Sequence, residues 1–465
     1  MTDFKNVRTD FGPEKIDIKV PKSSIVAEFK DPDVHPNPIE EIERAISNPF
    51  GSPPLEKLIK PNMKVAIGHD DPTKPPMPWQ IILKFLIKKL INLGIKKKDI
   101  FLISANGNHK QFSNEELKRF LGDEIFDDFY PSGQVLNHDC LDRNKLKFLG
   151  KTKGGAILDH NKLFLESDLM IYVGQVVAHS WGGYTGTGAA IGLASTESIA
   201  SHHNFHVVDH PETTLGDQKR MYFRKLKAEI NDGLEKAINK RIFYINWLGG
   251  TGGTISRIYA GYSPELEEPS WDEADKFSIR DVPQADVLVI GLPENFAYGS
   301  SNNSLITAIG MAYPPRIWLN DHVLKKGGVI IGLNPSNGLH DQNTFPSTTE
   351  FINLLDKVYN ISEMTKFQNR IAKNKEYLEK YRNGNAYHPI HPFWMLYACN
   401  YMLERSSKVI LAGTKNPGIF RKLNIEPTKN FDDAFDIAKR IRGANLTTIV
   451  APTFWSKRPF KFRVT

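Results

Sequence analysis

The sequence contains little cysteine and no uninterrupted apolar segment long enough to suggest a membrane span. Its 465 residues include only two cysteines, Cys140 and Cys399, which excludes a disulfide framework and an all-thiolate metal site. The first residues, MTDFKNVRTDFG, include acidic side chains and lack the apolar core of a secretory signal. The most apolar helix candidate, residues 79–95, carries lysines at helical spacing and indicates an amphipathic helix. We therefore expect a cytoplasmic protein without a membrane-spanning segment.

A strong excess of charge of either sign is also missing. Lysine and arginine number 60 and aspartate and glutamate 53, so the formal net charge is +7. The run IKKKD at 95–99 is short and is typical of a solvent-exposed helix end. We therefore expect no nucleic-acid partner, although a mild positive excess suits an anionic substrate or cofactor.

What the sequence does contain is an alternation of short apolar runs with helical patterns. The runs KVAIG, DIFLIS and SDLMIYVGQ each lead into a polar loop, as the strands of a parallel sheet do. Ser113 and Glu116 have the spacing of a capping box, which predicts that a helix starts there. This alternation favours the α/β fold class.

A charged, proline-containing stretch at 262–278 has the composition of a connector. Four further apolar runs, ADVLVIGL, GGVIIGLNP, SKVILAGT and LTTIVAPT, follow it and predict buried strands. We therefore predict two α/β domains with mixed or parallel sheets and an active site in the cleft between them. Residues 1–265 would form an N-terminal domain that binds cofactor and metal. Residues 266–465 would form a Rossmann-like C-terminal domain, whose last strand could return to the first domain.

Three polar loops follow predicted strands, at the edge where open α/β sheets bind ligands. HDDPTKPP contains Thr73 and Lys74, which could hold an anion, although a capped turn would have the same composition. ANGNHKQ places His109 just past a strand, where a histidine is often only solvent-exposed. AHSWGGYTGTGAAIG places His179 before glycines that would let backbone N–H groups approach a phosphate. The run is not a P-loop, since no Gly-Lys-Ser/Thr occurs, nor a clean dinucleotide fingerprint, since Gly192 falls one position late.

Four of the chain's 14 histidines lie within nine residues, at His202, His203, His206 and His210. On a helix, His202 and His206 would share a face and could bind a metal. A polar helix end with histidines present by chance would show the same pattern, and both interpretations stay open.

Taken together, the loops resemble those of the lactate racemase family of nickel-dependent 2-hydroxyacid racemases and epimerases. The family's motifs are D-x-T-R-P, G-T-H-R, P-H-x-x-A-G-Y-S-G-G-R-K, E-T-I-x-x-N-H and G-Y-P-x-D-x-N. Their counterparts here, in the same order, are DPTKP (71–75), GNHK (107–110), AHSWGGYTGTGAA (178–190), ESIASHH (197–203) and AYGSSNNSLITAIGM (297–311). The segment HPFWMLYACNYMLERSSKVILAG is similar to a helix–strand unit of the family that starts near a tryptophan, here Trp394.

The resemblance implies a site for a nickel-pincer nucleotide, a pyridinium mononucleotide that holds nickel through one carbon, two sulfurs and a histidine. The nickel ligand would be His203, with His202 and His206 as alternatives. The paired acid/base residues would be His109 and His179. The cofactor-binding positions would be Asp71, Thr73, Gly183, Thr185, Gly186 and Gly188. The substrate-binding positions would be Lys74, which replaces the family's carboxylate-binding arginine, and Trp181, Tyr184, Ile306, Ile309 and Trp394.

The implied reaction inverts C2 of a small 2-hydroxyacid through a planar 2-ketoacid. A base takes the hydroxyl proton while an electrophilic cofactor accepts a hydride, so inversion needs a base on each face of the substrate. Histidine suits this task because its ordinary pKa is close to neutrality. Enzymes that synthesise the cofactor would be the protein's suppliers.

Departures from the family's motifs change the expected cofactor contacts and substrate. The cofactor-tethering lysine of G-G-R-K has no counterpart in the loop TGAA (187–190), which implies a cofactor held without a covalent bond. The glutamine and lysine of the family's Y-Q-x-x-K fall on Ile306 and Ile309, which implies a substrate other than lactate, with an apolar or bulkier side chain. Two alternatives stay open: an NAD-dependent oxidoreductase that uses the glycine run, and a cofactor-binding protein without racemase activity.

Overall fold

The computed structural model describes residues 3–74, 77–210, 216–296 and 298–465. The strands, in chain order, are β1 (Phe4–Gly12), β2 (Glu14–Pro21), β3 (Ile25–Val26), β4 (Val65–His69), β5 (Ile100–Ser104), β6 (Val135–Asn137), β7 (Leu146–Lys151), β8 (Ile157–Asn161), β9 (Leu169–Gln175), β10 (Ala178–His179), β11 (Gly183–Tyr184), β12 (Ile242–Gly249), β13 (Ile255–Gly261), β14 (Ile279–Val282), β15 (Ala285–Pro293), β16 (Asn295–Phe296), β17 (Gly299–Ser300), β18 (Leu324–Leu333), β19 (Ser406–Ala412), β20 (Glu426–Thr428), β21 (Thr448–Ala451) and β22 (Lys461–Val464).

The helices, in the same order, are α1 (Pro38–Ser47), α2 (Leu55–Leu58), α3 (Met77–Asn92), α4 (Asn114–Leu121), α5 (Asp123–Phe129), α6 (Lys162–Glu166), α7 (Ala189–Gly192), α8 (Thr196–His202), α9 (Phe205–Val208), α10 (Tyr222–Ile238), α11 (Glu267–Ser278), α12 (Ser304–Arg316), α13 (Thr348–Leu354), α14 (Thr365–Ala372), α15 (Lys375–Asn383), α16 (His391–Arg405), α17 (Pro417–Lys422) and α18 (Phe431–Arg442). Over the described parts of the chain, none of these helices combines the length and apolar character that crossing a membrane requires.

The first sheet has the strand order β13-β12-β9-β4-β5-β6, and only β13 runs antiparallel to its neighbour. Every residue of β4, β9 and β12 is buried, because helices cover both faces of the sheet. Helix α3 covers one face through Trp79 and Leu83, and α10 covers the other through Ile230 and Leu234. Burial on both faces explains why these strands are continuous apolar runs in the sequence.

The second sheet has eight strands in the order β2-β1-β15-β18-β19-β20, with β21 paired to β15 and β3 paired to β21. The four buried runs predicted after residue 278 are strands β15, β18, β19 and β21, and they run parallel. The two sheets and their covering helices confirm the α/β fold class.

Strands β1, β2 and β3 belong to the second sheet, although the predicted division places them in the N-terminal domain. Strand β1 pairs in parallel with β15 and antiparallel with β2, and β3 pairs with β21. The last strand, β22, pairs with β14. The division between residues 265 and 266 stays a prediction. The early strands lie before this division in the sequence but belong to the sheet that follows it.

Two local features of the sequence had different outcomes. The capping box at the start of α4 is confirmed, because the Ser113 hydroxyl accepts a hydrogen bond from the backbone N of Glu116 at 3.2 Å and the reciprocal bond is present. The connector expected at 262–278 is wrong for most of its length, because α11 occupies 267–278. The buried face of α11 contains Trp271, Ala274 and Phe277, which are three residues apart, as expected for one side of a helix. The residues between them are mostly acidic.

The arrangement of the strands explains where the polar loops meet. Strands β4, β5 and β9 are parallel neighbours, so their carboxyl ends lie at one edge of the first sheet. Helices α12 and α16 pack against each other in the second half, and they face the same edge through Ile309 and Trp394. A cleft between the two sheets results.

Candidate active site

A cavity of about 210 Å³ lies between the strand-end loops of the first sheet and helices α12 and α16. The three histidines predicted to act together, His109, His179 and His203, all line it. The other predicted site residues that line it are Asp71, Lys74, Trp181, Tyr184, Thr185, Gly186, Gly188, Ile309 and Trp394. Thr73, Gly183 and Ile306, which the structure also describes, lie outside this lining.

His109 is held in place by a carboxylate. Its Nδ1 lies 2.5 Å from Oδ2 of the buried Asp71. Burial alone would raise the pKa of Asp71, but the charges of His109 and Lys74 and the hydrogen bonds from His109 and Thr73 lower it below its usual value. Asp71 is therefore an anion that accepts the Nδ1–H of His109, and Nε2 is the nitrogen left for a substrate.

Asp71 and Thr73 are both predicted as cofactor contacts, and the structure places them against each other. Thr73 donates to Oδ1 of Asp71 from its backbone N at 2.9 Å and also from its hydroxyl. Lys74 Nζ lies 3.3 Å from the Thr73 hydroxyl oxygen, and Lys74 lines the cavity. The loop thus presents Lys74 to a ligand and uses Asp71 to orient His109. Pro75, the last residue of the DPTKP motif, lies outside the described residues.

His179 belongs to the short hairpin formed by β10 and β11. The backbone N of Trp181 donates to His179 Nδ1 at 3.1 Å, so Nε2 is the nitrogen free to meet a ligand. Burial, with the nearby charge of Lys74, lowers the pKa of His179 to about 3. The imidazole is therefore neutral near pH 7 in this state of the site.

A tyrosine ring packs against each of the two acid/base histidines. The ring centroid of Tyr298 lies 5.3 Å from that of His109, and the centroid of Tyr313 lies 5.5 Å from that of His179. The Tyr313 hydroxyl is buried and makes no hydrogen bond with the described residues. Each acid/base histidine therefore has an aromatic neighbour.

Of the candidate metal ligands, His203 is the one that lines the cavity. Its ring stacks on Trp181 at 4.6 Å between centroids, and its Nδ1 lies 2.8 Å from Nδ1 of the fully buried His202. His206 is exposed and is not part of the cavity lining. The expectation that His202 and His206 share a helix face is wrong, because α8 ends at His202 and α9 begins only at Phe205.

The donor set at His203 limits the kind of metal site that can form. Among the described residues, no group of three or more His, Cys, Asp or Glu side chains could hold a metal ion. A metal bound at His203 would need ligands in addition to these side chains. Imidazole is a suitable ligand for nickel, and the contact with His202 occupies Nδ1 of His203, so that Nε2 remains available. The site fits a nickel cofactor that brings its own donor atoms.

The glycine run forms the β10–β11 hairpin and then the four-residue helix α7. Gly183 has φ 75°, and a Cβ there would lie 2.6 Å from the backbone N of Gln218, so only glycine fits. Gly186 has φ 89° and lines the cavity with Thr185, whose hydroxyl donates to the Gln175 carbonyl at 2.7 Å. In a dinucleotide fingerprint, the glycines join a strand of the sheet directly to a helix. Here a hairpin occupies that position, and this difference disfavours the NAD-dependent alternative.

Two buried basic side chains behind this loop, Arg224 and Lys227, were not predicted. The Arg224 guanidinium donates to the carbonyls of Gly182 at 3.2 Å and Tyr184 at 2.6 Å, and the Lys227 amine donates to the carbonyl of Gly186. Lys227 also lines the cavity, and burial together with Arg224 lowers its pKa well below the usual value. The sequence offered one signal for these residues: they are three positions apart, which places both on the buried face of α10.

A fourth cavity histidine, His391, was also missed. Its ring centroid lies 5.5 Å from that of His109 and 4.7 Å from that of Tyr298. His391 is buried, and its Nδ1 has no hydrogen-bond partner. The residue starts α16 in the segment HPFW, in which Trp394 alone was predicted to contact the substrate.

The two isoleucines predicted to contact substrate have different positions on α12. Ile309 lines the cavity, whereas Ile306 packs in the core and is fully buried. Every residue of α12 is buried, so its apolar pattern could not show which side meets the cavity. Ala297, at the start of the corresponding sequence motif, lies outside the described residues.

The fold and the site define an α/β protein with a histidine-lined cavity between two sheets. Residues 11–216 match the family model of the lactate racemase N-terminal domain. The chain is 22% identical over 415 residues to the lactate racemase of Lactiplantibacillus plantarum, covering 89% of each protein. It is 23% identical over 338 residues to the lactate racemase of Thermoanaerobacterium thermosaccharolyticum, covering 70% of this chain and 73% of that protein.

Solved structures share the fold. The lactate racemase apoprotein from Thermoanaerobacterium thermosaccharolyticum superposes with a TM-score of 0.72 at 21% identity, covering 96% of this chain and 98% of that chain. A Thermotoga maritima protein superposes with a TM-score of 0.60 at 18% identity, covering 93% of this chain and 100% of that chain. These matches agree with the resemblance that the motifs indicate: residues 11–216 are similar to the N-terminal domain of lactate racemase, and most of the chain is similar to curated lactate racemases.

Proposed function

We propose that this protein racemises or epimerises a 2-hydroxyacid with the help of a nickel-pincer nucleotide. The observation that carries the proposal is that His109, His179 and His203 line one cavity although they come from three separate loops. Two imidazoles can serve the two faces of a substrate, and the third can bind the metal of a cofactor.

In this proposal, Lys74 binds the substrate carboxylate, because it is a cation at the cavity wall beside His109. His109 has its Nδ1–H bound by Asp71, so its free Nε2 takes the proton of the substrate hydroxyl. The neutral His179 accepts at Nδ1 from the Trp181 N–H, so its proton is on Nε2 and it serves the opposite face as the acid that gives a proton to the substrate oxygen. Asp71 is a positioning residue, since it fixes which nitrogen of His109 is available.

The bound cofactor would supply a hydride acceptor for C2 of the substrate. His203 would hold its nickel through Nε2. Thr185, Gly186 and Gly188 would lie along its phosphate, whose negative charge would favour the protonated form of Lys227 next to Gly186. Because the loop 187–190 has no lysine, we propose that this loop makes no covalent bond to the cofactor.

The substrate is proposed to differ from lactate. Ile309 at the cavity wall cannot donate a hydrogen bond, and Trp181 and Trp394 are aromatic neighbours of His203. An apolar wall discriminates between substrates by size and shape, because it offers no specific polar contact.

The test is to express the protein with the enzymes that make the cofactor and to follow single enantiomers of several 2-hydroxyacids by chiral chromatography. Inversion of at least one acid by the nickel-containing protein is expected. His203→Ala should lose bound nickel, whereas His206→Ala, a change at an exposed neighbour, should keep it. A protein that retains nickel and cofactor but inverts none of the acids would instead be a binding protein.

A further inference from the structure

The segment 452–465, which follows the second sheet's strand β21, is anchored in the second half of the molecule. Strand β22 pairs in parallel with β14. The indole N–H of Trp455 donates to the Gly310 carbonyl on α12 at 2.9 Å. Three fully buried rings of the segment pack in the core, namely Phe454, Phe460 and Phe462. The segment therefore has a fixed place beside α12, the helix that forms part of the cavity's second wall.

Lys461 reaches from this segment to the β10–β11 hairpin of the first half. Its side chain is fully buried, and its Nζ lies 3.4 Å from the centroid of the Tyr184 ring and donates to Oε1 of Gln218 at 2.6 Å. The Tyr184 hydroxyl donates to Asp275 on α11 at 2.5 Å. Burial lowers the pKa of Lys461 to about 7, and the amine can donate to Gln218 in its neutral form as well as in its charged form. Lys461 thus holds Tyr184 from behind, on the side away from the cavity that Tyr184 lines.

Arg458 fixes the base of the same hairpin. Its guanidinium donates to the carbonyls of Gly249 at 2.8 Å and Gly250 at 3.2 Å, at the end of β12, and to Oε1 of Gln175 at 2.8 Å, at the end of β9. The Gln175 carbonyl in turn accepts the Thr185 hydroxyl at 2.7 Å. A planar guanidinium with several donors can hold several oxygens at once. Arg458 therefore joins the ends of two strands to the residue from which the hairpin departs.

The hairpin depends on such support because its own pairing is minimal. Strands β10 and β11 have two residues each, and a hairpin of two strands is only marginally stable by itself. Yet this hairpin contributes His179, Tyr184 and Thr185 to the cavity lining. A small change in its shape would displace each of these side chains from the site.

We propose that the segment 452–465 is a positioning element of the cofactor site, in which Arg458 and Lys461 hold the β10–β11 hairpin in the shape that meets the cofactor. Neither residue lines the cavity, so both act through the hairpin. The inference rests on the proposed function for the identity of the ligand, and it adds the part of the chain that sets the shape of the loop.

The first test is amide hydrogen exchange of the cofactor-free protein, followed by mass spectrometry on peptides that cover residues 176–187. Here the backbone N of Val177 donates to the Thr185 hydroxyl at 3.0 Å, and the backbone N of Thr185 donates to the Val177 carbonyl at 2.9 Å. These amides exchange slowly only while the hairpin keeps its shape. In Lys461→Met we expect their exchange to quicken tenfold or more, with exchange in β15 unchanged. Unchanged hairpin exchange, or equal acceleration in β15, would overturn the inference.

Matched variants locate the effect. Arg463→Met changes an exposed residue of the same strand, paired with Asp281, and should leave hairpin exchange unchanged. Gln218→Leu removes the acceptor of Lys461 from the opposite side and should quicken exchange in the same peptides. Arg458→Met should do likewise, and Arg458→Lys, which keeps a charged donor, should restore part of the lost protection. Equal hairpin exchange in Lys461→Met and Arg463→Met would contradict the inference.

A second readout connects the segment to the cofactor. In protein expressed with the cofactor-synthesis enzymes, Lys461→Met should retain about tenfold less nickel per chain after gel filtration than Arg463→Met. Equal nickel in these two variants, with faster hairpin exchange in the first, would overturn the inference, because the shape of the hairpin would not matter to the cofactor. If the unaltered protein binds no nickel, the proposed function fails. The exchange experiment on cofactor-free protein still decides whether the segment holds the hairpin.

Discussion

The two walls of the cleft differ in how their side chains are held. On the first-sheet side, the site residues bind one another: Asp71 holds His109, the backbone of Trp181 holds His179, and Lys227 holds the Gly186 carbonyl. On the opposite side, α12 and α16 present apolar and aromatic groups. This difference suggests that one wall performs proton transfer and cofactor binding, and that the other selects the substrate.

The largest expected effect comes from the first wall. His109→Ala and His179→Ala should each lower turnover by about 10²- to 10⁴-fold, because each removes a positioned acid or base. Nickel content, measured by elemental analysis, should stay unchanged. His206→Ala is the matched control and should retain activity. If either cavity variant keeps full turnover, its histidine has no acid/base role.

The stability of the first half should depend on pH. Burial lowers the pKa of His69 and of His138 to about 4, so both are neutral when folded but gain protons below about pH 6.5 when unfolded. The contribution of these two neutral histidines to the free energy of unfolding is therefore fully present above pH 6.5 and is lost as the pH falls toward 4. Between pH 7.5 and 5 the two residues together should cost roughly 4 kcal/mol of unfolding free energy.

Urea unfolding at pH 7.5 and pH 5 measures this loss. His138→Gln should make the dependence shallower, because a glutamine amide can bond the carbonyl of Ala194 without gaining a proton. An equally steep dependence in this variant would show that His138 is not the cause.

A smaller effect is expected at the buried lysine. Lys227→Met should weaken retention of the cofactor by about tenfold, because a charge-assisted hydrogen bond contributes roughly 1.5–3 kcal/mol. The measurement is nickel per chain after gel filtration. Lys236→Met, on the exposed side of the same helix, is the control. Equal nickel retention in both variants would remove Lys227 from the cofactor site.

The smallest effect is expected on the second wall. Ile309→Val should change KM severalfold with little change in kcat, because one methylene at a cavity wall affects fit and not proton transfer. Ile306→Val, three residues away in the core, should instead cost about 1 kcal/mol of stability and leave KM unchanged. If the two variants behave alike, the wall has no selective role.

Much of the first wall could be predicted from the sequence, because its residues directly follow strands. Parallel strands bring their carboxyl ends together, so the strand pattern alone places His109 and His179 at one edge of a sheet. The buried strands of the second sheet were predicted for a similar reason, since short continuous apolar runs are typical of strands that are covered on both faces.

The other features of the fold and the site could not be predicted, because they depend on contacts between distant parts of the chain. Strands β1, β2 and β3 join a sheet whose other strands begin at residue 285 or later, and no local sequence pattern predicts so distant a partner. Lys227 reaches the glycine loop from a helix about 40 residues further along the chain. His391 and Ile309 lie on helices that are largely or wholly buried, where apolar periodicity cannot show the side that meets a cavity.

The central claim is that the hydrogen at C2 leaves and returns as a hydride, while His109 and His179 move only the hydroxyl proton. The most direct measurement is partial conversion of an accepted 2-hydroxyacid in D₂O, with deuterium at C2 of the inverted product read by NMR. The account predicts inverted product that retains protium at C2. Deuterium at C2 of the inverted product would contradict it, because the histidines would then be removing a proton from carbon.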